Sequence, residues 1–302
     1  MSRRRLRVGA RSSKLSQAQT SMVVDLIQKS SRGLEIEMVP VKTSGDRSGP
    51  TGGKGAFTLD IERLLLKNEI DVAVHSMKDL PSKITDGLEI GATPPRGDRR
   101  DALLSRDGKT ISALSRGAKV GTGSLRRRAQ LMRMRPDLEV VEIRGNIDTR
   151  IGKMAYGYDA IVLAAAGIER IGETRRISQF FSVDEMVPAA CQGTIAVEMR
   201  KDDALVGDVL SKIDDGAARI ESSCERAFVE KLGGDCYVPV GGCATVSKAS
   251  IKMVGLIASG DGSILVTRSA EAPSRDAVSL GQRVAESLLE AGGEKILGGV
   301  AS

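Results

Sequence analysis

Short apolar runs that end in glycine or polar residues, each followed by apolar residues at helical spacing, recur along this chain and constrain it to an α/β fold. Leu6-Arg7-Val8-Gly9-Ala10 reads as a strand. Arg11-Ser12-Ser13 then offers N-cap hydroxyls ahead of Leu15, Met22, Val23, Leu26 and Ile27, which share a helical face. Leu34, Ile36 and Met38 alternate as a second strand, Leu59 to Leu66 carries another helix, and Asp71-Val72-Ala73-Val74 is a short buried strand that ends in polar residues. Strands alternating with helices imply a mostly parallel, doubly wound sheet.

The pattern restarts near Ala118, with a strand to Gly121, a helix from Ser124, a strand from Leu138 to Ile143, a helix from Thr149 and a strand from Asp159 to Ala164. Pro94-Pro95-Arg96-Gly97-Asp98 reads as a hinge before it, and the stretch from Val187-Pro188 to Gly193 as a return crossing. After Gly216 the pattern changes. A helix carries Ile220, Cys224, Ala227 and Phe228, a hairpin turns at Gly260-Asp261-Gly262, and a last helix carries Leu280, Val284 and Leu288. Three domains are therefore expected: a discontinuous α/β domain over 1–95 and 194–215, a second α/β domain over 96–193, and a smaller α+β domain over 216–302. No internal sequence repeat is evident.

Composition narrows the function classes. With 302 residues, 41% hydrophobic and 28% charged, the chain can bury a core in each domain. No apolar run follows Met1-Ser2-Arg3-Arg4-Arg5, so neither an export signal nor a membrane span is expected, and a cytoplasmic protein is. Cysteines at 191, 224, 236 and 243 have no metal-ligand spacing, and one histidine, His75, cannot complete the usual zinc clusters, so no metal is expected. The net charge of +6 and a pI near 9.2 admit nucleic acid, a membrane surface or an acidic small molecule as partner. Only 2% of residues are aromatic, which argues against a base-stacking platform.

Four segments carry chemistry. Val74-His75-Ser76-Met77-Lys78-Asp79-Leu80-Pro81 sets a carboxylate and an ammonium group where a strand leaves its sheet, and ligands of open α/β sheets bind beyond such strand ends. Gly121-Thr122-Gly123-Ser124-Leu125-Arg126-Arg127-Arg128 joins hydroxyls and free N–H groups at a helix start to arginines, an arrangement suited to carboxylates. Arg144-Gly145-Asn146-Ile147-Asp148-Thr149-Arg150 repeats that design at the next strand end. In Leu232-Gly233-Gly234-Asp235-Cys236-Tyr237-Val238-Pro239-Val240-Gly241, glycines supply the bends around one thiol. Taken singly, each has a bland reading: a surface ion pair, a solvated basic face, a small buried cysteine. Gly49-Pro50-Thr51-Gly52-Gly53-Lys54-Gly55 lacks the first glycine and the final Ser or Thr of a phosphate loop, so no nucleotide site is expected there.

In their order along the chain these segments resemble the porphobilinogen deaminase (hydroxymethylbilane synthase) family. The resemblance implies two doubly wound, periplasmic-binding-protein-like α/β domains plus a small α+β C-terminal domain. It implies a dipyrromethane cofactor held covalently by Cys236 through a thioether, and porphobilinogen as substrate. Asp79 matches the catalytic aspartate. Lys78, Ser124, Arg126, Arg127, Arg144 and Gly145, with Asp79, match cofactor-binding positions. Arg11 and Ser13 in Val8-Gly9-Ala10-Arg11-Ser12-Ser13, Arg150, Arg170 in Ala166-Gly167-Ile168-Glu169-Arg170 and Gln192 match substrate-binding positions, and Lys54 and Phe57 match a mobile loop. Two positions depart from the pattern: Asp235 and Cys191 stand where glycine is usual. A carboxylate at 235 opposes formation of the Cys236 thiolate. A monomer without nucleic-acid or membrane partners is expected.

Two other readings use the same residues. A two-lobed carboxylate receptor shares the paired α/β domains but needs an export signal and has no use for Cys236. A nucleic-acid-binding protein uses the arginines but needs a continuous basic outer face and steep salt dependence.

Overall fold

A computed structural model describes residues 5–41, 58–233 and 239–298. From the N-terminus, β1 (Arg5–Arg11), α1 (Lys14–Ser30), β2 (Glu35–Val41), α2 (Leu59–Leu66), β3 (Val72–Ser76) and β4 (Leu88–Ala92) lead to β5 (Asp101–Ser105). There follow β6 (Lys119–Gly121), α3 (Leu125–Met134), β7 (Glu139–Val141), α4 (Ile147–Lys153), β8 (Ala160–Ala164), α5 (Ala165–Arg170) and β9 (Gln179–Phe180). The chain ends with β10 (Ile195–Arg200), α6 (Ala204–Ser211), α7 (Gly216–Lys231), β11 (Val240–Ser247), β12 (Ser250–Ala258), β13 (Leu265–Pro273), α8 (Ala277–Leu288) and α9 (Glu294–Gly298). It divides into two compact units, Met1–Gly97 with Thr194–Arg219, and Asp98–Gly193 with Ile220–Ser302.

The first unit holds a sheet of order β2-β1-β3-β10-β4. Strands β2, β1 and β3 run parallel, while β10 is antiparallel to both of its neighbours. Ser13 caps α1 by accepting from the Ser16 N–H at 3.3 Å, and the helix lays Val23 and Ile27 against Val8, Val72 and Val74. Alternation then sends Ala73 to the opposite face, where it meets Ile61 and Leu65 of α2. A strand with apolar side chains on both faces needs helices on both sides, which is the doubly wound arrangement. Each fully buried Ile or Leu contributes about 1.5–3 kcal/mol to that packing.

The second unit contains a sheet of order β7-β6-β8-β5-β9. Here β7, β6 and β8 are parallel and β5 is the antiparallel strand. The two sheets share one plan: second, first and third strands parallel, then an antiparallel strand, then the fourth. In these two sheets the antiparallel strands are β5, the first after the chain enters the second unit at Asp98, and β10, the first after it returns to the first unit at Thr194. The same unit carries the antiparallel sheet β11-β12-β13, packed on α7 and α8 around Phe228, Leu280, Val284 and Leu288. Gly242 and Gly255 pair across β11 and β12 and form the seat of the Phe228 ring; a Cβ at Gly255 would lie 2.7 Å from its Cε2. Ala129 of α3, Val187, Leu256 and Ala258 form a further apolar cluster that packs β12 against α3.

Candidate active site

In the first unit, β1 and β3 are neighbours, so their carboxyl ends lie side by side. Arg11 is the last residue of β1, and Lys78 and Asp79 lie in a 3-10 turn, Met77–Asp79, directly after β3. That turn is fastened from below. Met77 is buried, its N–H donates to the Thr194 carbonyl at 3.0 Å, and the Leu80 N–H closes the turn on the Met77 carbonyl at 3.1 Å. Gln19 of α1 donates from Nε2 to Ser76 Oγ at 2.9 Å, and His75 Nε2 lies 3.1 Å from the buried Glu198 carboxylate. An exposed carboxylate, Asp79, thus stands on a braced turn, with Lys78 half-buried beside it. Ser13, at the end of the same strand edge, serves α1 as its N-cap.

In the second unit, the carboxyl ends of β6, β7 and β8 lead in turn to Arg126 and Arg127, to Arg144 and Arg150, and to Arg170. Arg126 and Arg127 are not a solvated basic face: they are 4% and 5% exposed. Both clasp Asp101, the fully buried first residue of β5. Arg126 Nη1 donates to Asp101 Oδ2 at 2.6 Å and to the Val187 carbonyl at 2.7 Å. Arg127 donates from Nε to Asp101 Oδ1 at 2.9 Å and from Nη1 to the Val162 carbonyl at 3.1 Å. Gln192 completes the cluster, donating from Nε2 to Asp101 Oδ1 at 2.8 Å and to the Arg99 and Arg100 carbonyls. Burial alone would raise the Asp101 pKa, but the two guanidinium groups outweigh it and hold the carboxyl well below its usual range. Burial pulls Arg126 down while Asp101 opposes it, and the guanidinium stays charged.

Ser124 caps α3, accepting from the Arg127 N–H at 3.4 Å. At Gly123 an added Cβ would sit 2.9 Å from the Ile143 carbonyl and about 4 Å from the Arg150 guanidinium, so the loops after β6 and β7 meet there. Arg150 donates from Nε to the Gly145 carbonyl at 2.7 Å, and Gly145 takes a φ of +120°. Arg144 is exposed and pairs with the exposed Glu142, a contact that contributes little in water. Arg170 donates to the Gly193 carbonyl at 2.6 Å, and burial lowers its pKa to about 10. Cys191 holds a φ of +60°, a left-handed conformation that explains why glycine suits this position. The residues predicted for the second unit therefore gather into one cluster (Arg126, Arg127 and Gln192) and one loop pair (Ser124, Gly145 and Arg150). Cys236, Lys54 and Phe57 lie outside the described residues.

Asp101 was missed by sequence reasoning. Its signal is present, a carboxylate after Arg99-Arg100 at the head of the apolar run Ala102-Leu103-Leu104, where burial demands cationic partners. Among the described residues no group of His, Cys, Asp and Glu could hold a metal ion, and no helix is long and apolar enough to cross a membrane.

Residues 6–208 match the model of the porphobilinogen deaminase dipyromethane cofactor binding domain, and residues 219–290 match that of the porphobilinogen deaminase C-terminal domain. The chain belongs to the porphobilinogen deaminase family. Relatives named porphobilinogen deaminase are 46% identical in Exiguobacterium sibiricum, over 97% of each chain, and 45% identical in Brevibacillus brevis, over 96% of each chain. A third, from a Roseiflexus species, is 44% identical over 97% of this chain and 98% of its own. The methionine-binding protein MetQ aligns over 69% of this chain and 88% of its own at a TM-score of 0.43 and 15% identity. A deaminase of this family is a transferase of tetrapyrrole biosynthesis and carries a dipyrromethane cofactor.

Proposed function

We propose that this chain is a hydroxymethylbilane synthase. It joins four porphobilinogen molecules head to tail, losing one ammonia per addition, on a dipyrromethane primer attached to Cys236, and releases linear hydroxymethylbilane by hydrolysis. The observation that carries this reading is the cluster of Arg126, Arg127 and Asp101. Two buried guanidinium groups face one carboxylate, which leaves a formal positive charge at the start of α3 and calls for an anion.

The dipyrromethane fits that donor set, because its acetate and propionate side chains are carboxylates. Arg126, Arg127 and the Ser124 turn would hold them, with Arg144, Gly145 and Lys78 as further contacts. When bound, the cofactor supplies a free pyrrole α-carbon as nucleophile. Arg11, Ser13, Arg150, Arg170 and Gln192 orient the carboxylates of porphobilinogen, a task for which planar bidentate guanidinium groups are suited. Lys54 and Phe57 match the family's mobile-loop positions and would act with them.

Asp79 performs the electrostatic work. Loss of ammonia from the aminomethyl group leaves a cation delocalised onto the pyrrole nitrogen, and a carboxylate about 4 Å away at an effective dielectric near 20 favours it by about 4 kcal/mol. The same carboxylate then accepts the proton displaced from the α-carbon. Its position on a braced turn keeps it in place through each addition.

The three segments 1–95 with 194–215, 96–193 and 216–302 divide this labour between catalytic carboxylate, anion binding and cofactor attachment. Thioether chemistry at Cys236 requires a reduced thiol, which suits a reducing compartment such as the cytoplasm. It works as a monomer on a small-molecule substrate, with no nucleic-acid or membrane partner. The test is the denatured intact mass of the parent beside Cys236→Ser. An excess of two linked pyrrole units on the parent and none on the variant supports both cofactor and attachment residue. A bare parent mass that stays bare with porphobilinogen, and no release of ammonia, overturns the reading.

A further inference from the structure

Strand β11 is an outer strand of the C-terminal sheet, and its outward N–H groups are satisfied from beyond the sheet. The Gly242 N–H donates to the Pro188 carbonyl at 2.8 Å, the Ala244 N–H to Glu225 Oε1 at 2.7 Å and the Val246 N–H to Glu221 Oε1 at 3.0 Å. Carboxylates one helical turn apart on α7 thus close an edge that would otherwise invite strand pairing. Glu221 also pairs with Arg99 at 3.1 Å, and Arg99 donates to the Ala244 carbonyl at 2.6 Å. Closing the edge accounts for Glu221.

Glu225 does more than close an edge. It is fully buried, and its other oxygen, Oε2, accepts from the backbone N–H of Cys191. The next residue, Gln192, holds Asp101, which holds Arg126 and Arg127. In sequence, Cys236 falls between the helix that carries Glu225 and the strand that Glu225 grips. One carboxylate therefore ties the strand that follows the Cys236 segment to the backbone that fixes the arginine cluster. Two N–H donors converge on it, one per oxygen, so a glutamine would turn its NH2 toward one of them and leave a buried donor opposed by a donor.

We infer that Glu225 is a positioning residue for cofactor loading, setting the strand that follows Cys236 in register with the arginine cluster. This rests on the function proposed above. The full chain is produced in cells unable to make porphobilinogen and then given porphobilinogen, with loading followed by intact mass and folding by thermal unfolding. Glu225→Gln is expected to load at least tenfold more slowly than the parent. Glu221→Gln removes a carboxylate from the same helix and strand edge but leaves Cys191 held; it is expected to melt lower yet load within twofold of the parent. Equal loading by Glu225→Gln and parent, or equal slowing by Glu221→Gln, overturns the inference. A second measurement needs no variant: in the parent, loading should raise hydrogen-exchange protection at the Cys191 and Ala244 amides more than at Val246, and an equal or absent change counts against it. A parent that never gains two pyrrole units overturns the functional reading itself, which distinguishes the two failures.

Discussion

Gln192 donates a hydrogen bond to Asp101 at 2.8 Å, although 91 positions separate them in the chain. The pairing joins the return crossing to the antiparallel strand β5 and holds the carboxylate that Arg126 and Arg127 share. Removing that charge while keeping its shape is therefore the sharpest single perturbation of the arginine cluster. Asp101→Asn strands two buried guanidinium groups and is expected to cost about 3–5 kcal/mol of stability. The pH dependence has a definite sign. The folded carboxyl is depressed, so its contribution is fully present above the unfolded value of about 3.9 and is lost as pH falls below that toward the folded value. Urea denaturation from pH 7 down to pH 3 should show the parent losing part of its advantage over Asp101→Asn only on the acid side. A constant difference across that range would show that Asp101 ionises alike in both states.

Asp79 differs from Asp101 in kind, because it is exposed and its turn is braced by Met77, Ser76 and Thr194 rather than by its own side chain. Asp79→Ala should leave thermal stability within about 0.5 kcal/mol of the parent, as surface substitutions do. Ammonia release should fall by at least about a hundredfold, the lower range for losing a proton-transfer group, and Asp79→Glu should retain a slow rate. Normal turnover in Asp79→Ala would remove Asp79 from the mechanism.

What was legible in the sequence was local. The N-cap hydroxyls at Ser12-Ser13, the helix start at Ser124 and the helix Leu59–Leu66 depend on residues within a few positions, and all were read with little error. The direction of β5 and β10 was not legible. Ala102-Leu103-Leu104 and Ile195-Ala196-Val197 are continuous apolar runs whose periodicity carries no orientation, and their partners lie far away in the chain. The shared plan of the two sheets was hidden for the same reason, since it resides in strand order and not in repeated residues. Arg126 and Arg127 were found as charges at a helix start, but their burial came from Asp101, a partner 25 and 26 positions away.

Cys224 tests the burial of α7. Burial first, and then the neighbouring Glu225, push its thiol up to about 12. An unfolded cysteine near its ordinary value carries about a thousandfold more thiolate at pH 8. Alkylation of Cys224 by iodoacetamide, mapped by peptide mass, should therefore be slower in the folded protein by at least that factor. Rapid labelling of the native chain would mean that α7 opens readily from the C-terminal sheet.

Cys191 carries the one strained backbone in the return crossing. Its φ of +60° disfavours any side chain, and a left-handed residue other than glycine costs about 1–2 kcal/mol. Glycine would relieve that strain but lose a buried thiol and add chain entropy to the unfolded state, about 0.5–1 kcal/mol for the entropy. These effects oppose one another, so Cys191→Gly should stay within about 1 kcal/mol of the parent. Cys191→Val adds a β-branch to the same left-handed backbone and crowds a site whose N–H must stay on Glu225. It should cost more than about 2 kcal/mol and slow loading of the cofactor as well, because Gln192 moves with its neighbour. Chemical denaturation of the two variants decides the matter: a valine as mild as glycine would show that the crossing relaxes freely around position 191, and that the left-handed turn does not govern the placement of Gln192.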